Sequence, residues 1–363
     1  MKALLSLTTL TAALPLLLHA DSEGSHTSSR RAKKPSTPPA PKAADAKVDQ
    51  GPFVTGDFLY WIASEDGLEY AVSGVSNTGS TTAVSQGKVR EPEFEWEPAL
   101  RLGIGYTLPK SNWDAGISWT RFRTEARRDT PAPQPIMLSN RLFPMLDLPT
   151  TSFGVGGVGT PLDSASAKLQ IEYDTLDFLL GREFRVNEYF SVRPSAGVRG
   201  AWIDQHYRLN YAAKTLDPGD PLHKVKLDND FRGVGIRTAL DANWECHRLV
   251  SIYAKAGMTL FHGSFDIRQT YSNAVAGTVY GVLHSKELLR VVPEFDTSLG
   301  LRVQLGPYGA LKRCEITAGY EFTLYPHQNQ TLYFMDDTRA GIGMRQRGDL
   351  NLQGFTFGTA LYF

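Results

Sequence analysis

From Phe53 onward the chain alternates apolar and polar residues with a period of two, which places one set of side chains on each face of a β-strand. The clearest run is Val291 to Leu305. There Phe295, Thr297, Leu299, Leu301, Val303 and Leu305 share one face, and Glu294, Asp296, Ser298, Gly300, Arg302 and Gln304 share the other. Similar apolar faces recur along Leu100 to Tyr106, Trp113 to Trp119, Val192 to Trp202, Val234 to Trp244, Ile252 to Leu260 and Ile316 to Leu324. A last one runs through Phe355, Phe357, Thr359, Leu361 and Phe363. Two more stretches, Val54 to Ile62 and Leu169 to Phe184, alternate less cleanly and predict strands that carry a bulge.

The connections between these strands are unequal. Short ones fall at Pro109 to Asn112, Val186 to Tyr189, Glu245 to Arg248 and Gly306 to Arg313. Long polar ones fall at Ser64 to Glu97, Glu125 to Ser164, Leu209 to Asp228, Asp266 to Leu289 and Pro326 to Asp349. Strict alternation of short and long connections is the pattern of an up-and-down barrel with periplasmic turns and extracellular loops, and both termini then lie on the periplasmic side. From Phe190 to Trp202 there are twelve residues; at about 3.3 Å each and a tilt of roughly 40°, they cover about 30 Å, enough to cross an outer membrane. Trp113 and Trp244 beside short turns, and Tyr60 and Trp202 toward long loops, would form two interfacial aromatic girdles.

The prediction is therefore all-β: a transmembrane antiparallel up-and-down β-barrel of about ten strands over residues 51–363. Hairpins inside the first two long connections, such as Leu68 to Val75, would raise the count to twelve or fourteen. In lipid such a sheet has to close on itself, because no water is present to pair a free edge. The alternative for an all-β chain is a soluble secreted β-sandwich. The terminal Phe363, at the end of an alternating strand, resembles the signal read by the barrel-assembly machinery, with Phe355, Phe357 and Leu361 in the same register.

The N-terminus adds an address. Met1 and Lys2 precede an apolar run from Ala3 to Leu18 and a small residue, Ala20, so residues 1–20 are expected to be a cleaved signal peptide; the run is short for a membrane anchor. Residues 21–50 are polar, Pro-rich and unable to bury enough surface to fold, which predicts a disordered periplasmic tail. Its basic cluster Arg30, Arg31, Lys33 and Lys34 either touches cell-wall or lipid phosphates or is simply solvated. The whole chain has 38 basic and 38 acidic residues, so it has no general pull on nucleic acid.

Candidate chemistry is thin. Asp204 and His206 lie two apart on one strand face, a spacing that lets a carboxylate orient an imidazole, but no serine in a supporting context completes a triad. The sequence carries no metal-ligand spacing and no phosphate-cradling glycine loop, so neither catalysis nor a cofactor or metal is expected. The lumen holds more. Arg101, Arg193, Arg199, Arg237, Lys255 and Arg302 share the inward phase with Asp57, Asp241, Glu294, Asp296, Glu315 and Glu321. Such charges either line a water-filled constriction that sorts small polar solutes or neutralise one another in a packed interior. Ten strands imply a narrow or a plugged lumen.

Four segments resemble the major outer membrane protein family of Legionella type, with its relatives in chlamydia-like bacteria: Phe58 to Val72, Trp113 to Ala126, Leu176 to Phe184 and Arg193 to Gln205. They cover mainly the first half of the mature chain, and the Pro-rich tail has no counterpart in the resemblance. The family implies an abundant, surface-exposed pore former, sometimes an adhesin. On that basis the expected function is porin-like diffusion of small hydrophilic solutes or ions through a narrow polar lumen. The alternative is a closed barrel serving as adhesin or structural envelope protein, meeting a host-surface ligand through its extracellular loops. The resemblance to chlamydial envelope proteins also motivates disulfide cross-linking between copies through Cys246 and Cys314 in the oxidising periplasm, against two free thiols.

Overall fold

A computed structural model describes residues 50–75, 86–109, 111–132, 141–146, 162–213, 222–273, 277–334 and 343–363. The expected signal peptide and nearly all of the expected tail lie outside the described residues. Ten long strands form the wall: β1 (Gly51–Glu65), β2 (Glu97–Thr107), β3 (Trp113–Pro131), β4 (Ser164–Arg182), β5 (Phe190–Ala212), β6 (Leu222–His247), β7 (Val250–Asn273), β8 (Val279–Leu305), β9 (Arg313–Tyr325) and β10 (Leu350–Tyr362). Each pairs antiparallel with its sequence neighbours, and β10 pairs with both β9 and β1, so the sheet closes into a ten-stranded barrel.

The extra hairpins predicted in the first two long connections exist but do not enter the wall. Ala71–Val75, at the end of the Leu68 to Val75 stretch, pairs with Gln86–Arg90 and Arg141–Pro144 in a separate three-stranded sheet. The expected bulges also lie elsewhere. The pairings of β1 and β4 run without a register shift, whereas shifts occur at Glu245/His247, Phe265/Ile267 and Tyr271/Ser272.

The largest departure from the sequence reading is height. Leu209 to Asp228 and Asp266 to Leu289, expected as loops, are mostly strand: β5 runs to Ala212, β6 starts at Leu222, β7 runs to Asn273 and β8 starts at Val279. β5 alone has 23 residues, which at about 3.3 Å each and a 40° tilt reach about 55 Å, roughly twice an outer-membrane apolar band.

β5 keeps one in/out parity along this length while the chemistry on each face inverts. In β5 the outward residues Val192, Pro194, Ala196, Val198 and Trp202 give way to Asp204, His206, Arg208 and Asn210. Inward, Ser191, Arg193, Ser195 and Arg199 give way to Ala201, Ile203, Tyr207, Leu209 and Tyr211, all buried. From Val192 to Trp202 the apolar outer face is about 25 Å tall, the height of a lipid-facing band. The half of the barrel toward the short turns thus has an oily exterior and polar interior; the half toward the long connections, the distal half, has the reverse.

Candidate functional site: a charged chamber under an apolar septum

Alternation delivers charged side chains into the lower lumen because every second residue of each strand must point there. Burial in that narrow space demands partners, since an unpaired buried charge costs several kcal/mol. Arg199 grips both oxygens of Asp177, at 2.5 and 2.6 Å, and reaches Glu294 Oε1 at 2.5 Å. Glu294 is fully buried, and its other oxygen accepts from Arg237 Nη1 at 3.4 Å; Arg237 also holds Asp296, at 2.5 and 2.9 Å. Across the lumen, Arg101 bonds Glu321 through two nitrogens, at 3.1 and 2.8 Å, and Asp57 at 3.3 Å. Glu321 also accepts from Thr356.

Nearer the short turns, Arg193 donates to Asp114 through Nε at 2.7 Å and to Asp241 at 2.8 Å. Arg302 lies 3.6 Å from Glu315, and both Arg302 and Lys255 sit over the ring of Tyr253. Gly300 and Gly319, a paired rung, leave the space this ring occupies. These groups enclose a chamber of about 440 Å³. It runs from Glu183, Arg185, Glu245 and Arg313 at the short-turn end up to Trp61, Tyr173 and Thr323.

All the charged positions expected in the lumen line this chamber except Glu294, which is buried behind its two arginines. Asp114 and Asp177, which complete the Arg193 and Arg199 pairs, did not emerge from the sequence reading. Their signal was present: each sits in inward phase between apolar outward neighbours, Asp177 between Leu176 and Phe178, and Asp114 between Trp113 and Ala115.

Above the chamber the interior is filled. One continuous apolar cluster draws on all ten strands, among them Trp61, Ala99, Phe122, Ile171, Ile203, Phe231, Phe261, Val292, Tyr325 and Leu352, each at most 6% exposed. Phe231 packs on Phe261 and Phe265, with ring centroids 6.0 and 4.8 Å away, and Phe261 stacks on Tyr325 at 6.2 Å. The hydroxyls of Tyr173 on β4 and Tyr325 on β9 meet at 3.0 Å. These strands are five apart in a ring of ten, so the contact spans the full lumen. Higher still, the segment Gln328 to Gln330 is buried inside the distal half, where the Gln328 carbonyl accepts from Asn229 at 2.9 Å and Asn329 donates to the carbonyls of Asp66 and Gly67. Outside the barrel strands, burial raises the phenol of Tyr333; it stays protonated and donates to the Gly67 carbonyl at 2.9 Å.

The remaining predicted residues lie as follows. Tyr60, Trp113, Trp202 and Trp244 are exposed on the outer face. Tyr60 stacks on Trp96, which the sequence reading missed, and Trp96 stacks on Phe355. Phe355 and Phe357 face outward, Leu361 pairs with Val54, and Phe363 donates its N–H to the Pro52 carbonyl. Cys246 and Cys314 are free, the first exposed and the second half-buried, both at the short-turn end. Asp204 and His206 point away from the lumen: Asp204 bonds Arg232, and His206 Nδ1 lies 2.8 Å from Asp228. No metal-holding cluster exists among the described residues.

Solved structures similar to the chain are outer-membrane barrels. The outer membrane protease OmpT of Escherichia coli is 9% identical, at a TM-score of 0.41, covering 88% of this chain and 99% of that one. A Pseudomonas aeruginosa FadL homologue is 12% identical, at 0.31, covering 86% and 90%; the toluene transporter TodX of P. putida is 8% identical, at 0.32, again covering 86% and 90%. No curated protein matches. The family described as "Legionella pneumophila major outer membrane protein precursor" matches residues 50–363, the whole span in which the wall, the chamber and the septum are built. With that match joined to a closed barrel bearing a lipid-facing band, the chain belongs to the Legionella major outer membrane protein family.

Proposed function

We infer that this outer-membrane protein works as a closed barrel, a surface adhesin or structural envelope protein that presents its long connections outside the cell while its short turns face the periplasm. The single observation that carries the reading is the Tyr173–Tyr325 contact between opposite strands, set in an apolar layer to which every strand contributes. Water and hydrated ions do not cross such a layer, because each would lose its hydrogen bonds without replacement. The reading assigns the chain no catalytic step.

The second reading, passive diffusion of small hydrophilic solutes or ions, is favoured by the charge-lined chamber below the septum, and it requires the septum to move. Planar-bilayer recording separates the two. Folded protein, identified by heat-modifiable gel migration, is expected to leave the membrane silent; discrete conductance steps would overturn the closed-barrel reading in favour of diffusion.

A further inference from the structure

The outward face of the distal half carries two rows of like charge that differ in one respect. Nearer the lipid-facing band, Glu172, Asp204, Asp230 and Asp266 lie opposite one another on consecutive paired rungs of β4, β5, β6 and β7. Like charges directly opposite destabilise a sheet. This row has basic side chains of its own: Arg123 bonds Glu172 at 2.6 Å, Arg232 bonds Asp204, and the His284 imidazole lies 2.6 Å from Asp266.

Four residues further along the strands comes the opposite row. Arg127 pairs with Lys168, Lys168 with Arg208, and Arg208 with Lys226, so four cations stand side by side across β3, β4, β5 and β6. Glu125 takes Lys168 at 2.8 Å, and Glu93, on the far side of Arg127, is taken by Arg128 at 2.6 Å. Asp129 lies beyond the row at one end and Lys224 at the other. Arg127, Arg208 and Lys226 are exposed and make no ion pair with another described residue. Three of the four acidic positions thus face a basic side chain, Asp230 being the exception, whereas three of the four basic positions have no ion pair among the described residues.

We propose that this basic row binds the phosphorylated sugar headgroups of an outer-leaflet glycolipid. Three properties select that partner. The row is on the outer wall, so its partner surrounds the barrel and does not pass through it. Arg208 lies six residues beyond the girdle residue Trp202, which places the row about 15 Å above the apolar band. An ordinary phospholipid headgroup layer is only about 5–7 Å deep, so phosphates must be held further out, on sugars, to meet the row. Finally, three strand spacings make the row about 14 Å wide, enough for more than one phosphate, and its arginines can fork onto each.

The proposal rests on the closed-barrel reading only for which end faces outward. The test uses the full chain folded in detergent, titrated with purified lipopolysaccharide and with the same material enzymatically dephosphorylated. Wild type is expected to bind the phosphorylated form at least tenfold more tightly, with affinity falling as salt rises. The R127Q/K168Q/R208Q/K226Q variant should bind both forms at the weaker level, and R208Q/K226Q serves if the quadruple variant loses heat-modifiable migration. Equal binding by wild type and variant, or equal binding of the two lipid forms, overturns the proposal. Inorganic phosphate competing at micromolar concentration would mark a free-anion site and also overturn it. Labelling of Arg208→Cys on intact cells by an impermeant maleimide is expected, and its absence overturns the outward placement. Bilayer conductance is read separately: a conducting wild type sinks the closed-barrel reading and leaves this row untouched.

Discussion

The two halves of the barrel share one continuous sheet, its long strands β3 to β8 running from one half into the other, yet they solve opposite solvent problems. Near the short turns, lipid outside and a wet chamber inside put Ile236 on the exterior at 74% exposure and Arg237, its chain neighbour, against Glu294 and Asp296. Near the long connections, water outside and a packed interior put Lys226 on the exterior and Leu227 in the core. Through β4, β5 and β6 parity is kept and only side-chain polarity is exchanged; in β8 the bulge opposite Phe265 and Ile267 resets it, so that Leu288 and Leu283 both pack on the core. A strand therefore has no fixed hydrophobic face, only an inward and an outward one whose chemistry depends on depth.

The strongest way to break this comparison is to treat phenylalanines in the two halves alike. Phe231 is fully buried among Phe261 and Phe265, so Phe231→Ala should cost about 3–5 kcal/mol through lost burial and an unfilled cavity. Phe357 lies on the outer face of the lipid-facing half, 52% exposed, and in a bilayer it exchanges lipid contacts for lipid contacts. Phe357→Ala should cost under about 1 kcal/mol beyond the transfer of the lost ring into lipid. Denaturant midpoints of the two variants in lipid vesicles measure the difference; equal losses would mean that the septum is not a packed core.

The next effect concerns charge on the outer face. Ile236→Arg places a cation within the apolar band and should destabilise the inserted barrel by about 2–4 kcal/mol. Ten residues earlier on the same face, Lys226→Ile changes an exposed side chain in water and should stay within about 0.5 kcal/mol. If both variants shift the unfolding midpoint equally, the hydrocarbon does not end where the outer face changes polarity.

The third effect tests the Tyr173–Tyr325 bridge. Tyr173→Phe leaves the Tyr325 hydroxyl buried without this partner and should cost about 1–3 kcal/mol, whereas replacing both tyrosines by phenylalanine should cost less than the sum of the two single changes, because neither hydroxyl is left facing a missing partner. Neither variant is expected to conduct, since the apolar layer persists. Ion flow through Tyr173→Phe would locate the seal in this hydrogen bond and not in the surrounding packing.

Much of this was legible in the chain. The period of two along Val291 to Leu305 marks out β8 in its lipid-facing half, and the inward phase of Arg101, Arg199 and Arg237 marks the lumen charges. What stayed hidden was the distal half. Sequences such as Arg121-Phe122-Arg123 or Lys226-Leu227-Asp228 alternate just as cleanly, but a search for outward apolar residues reads their polar face as loop and stops the strand. The septum was hidden for the same reason, because Tyr173 and Tyr325 belong to it only once opposite strands are known to face each other. Glu294 illustrates a further limit: its phase was readable, but its burial between two arginines depends on strands β5 and β6, some 60 to 95 residues away.

The smallest effect sharpens the comparison at the level of single ion pairs. Arg123 and Glu172 meet at 2.6 Å on the distal exterior with about half of each side chain exposed, 51% and 44%. Arg199 and Asp177 meet at 2.5 Å in the lumen with 10% and 7% exposed. Short distances are common to both, so distance alone would rank them together. Water ranks them apart: it screens the outer pair, and the fixed geometry costs side-chain freedom, so Arg123→Ala should change stability by about 0–1 kcal/mol and by less still at high salt. Within the lumen the same truncation, Arg199→Ala, would strand Asp177 and Glu294, and salt would not mask the loss. A double-mutant cycle on Arg123 and Glu172 at low and high ionic strength measures the outer coupling. A coupling above about 2 kcal/mol that ignores salt would mean the distal exterior is not bathed in free solvent, as it would be if a bound headgroup layer covered it.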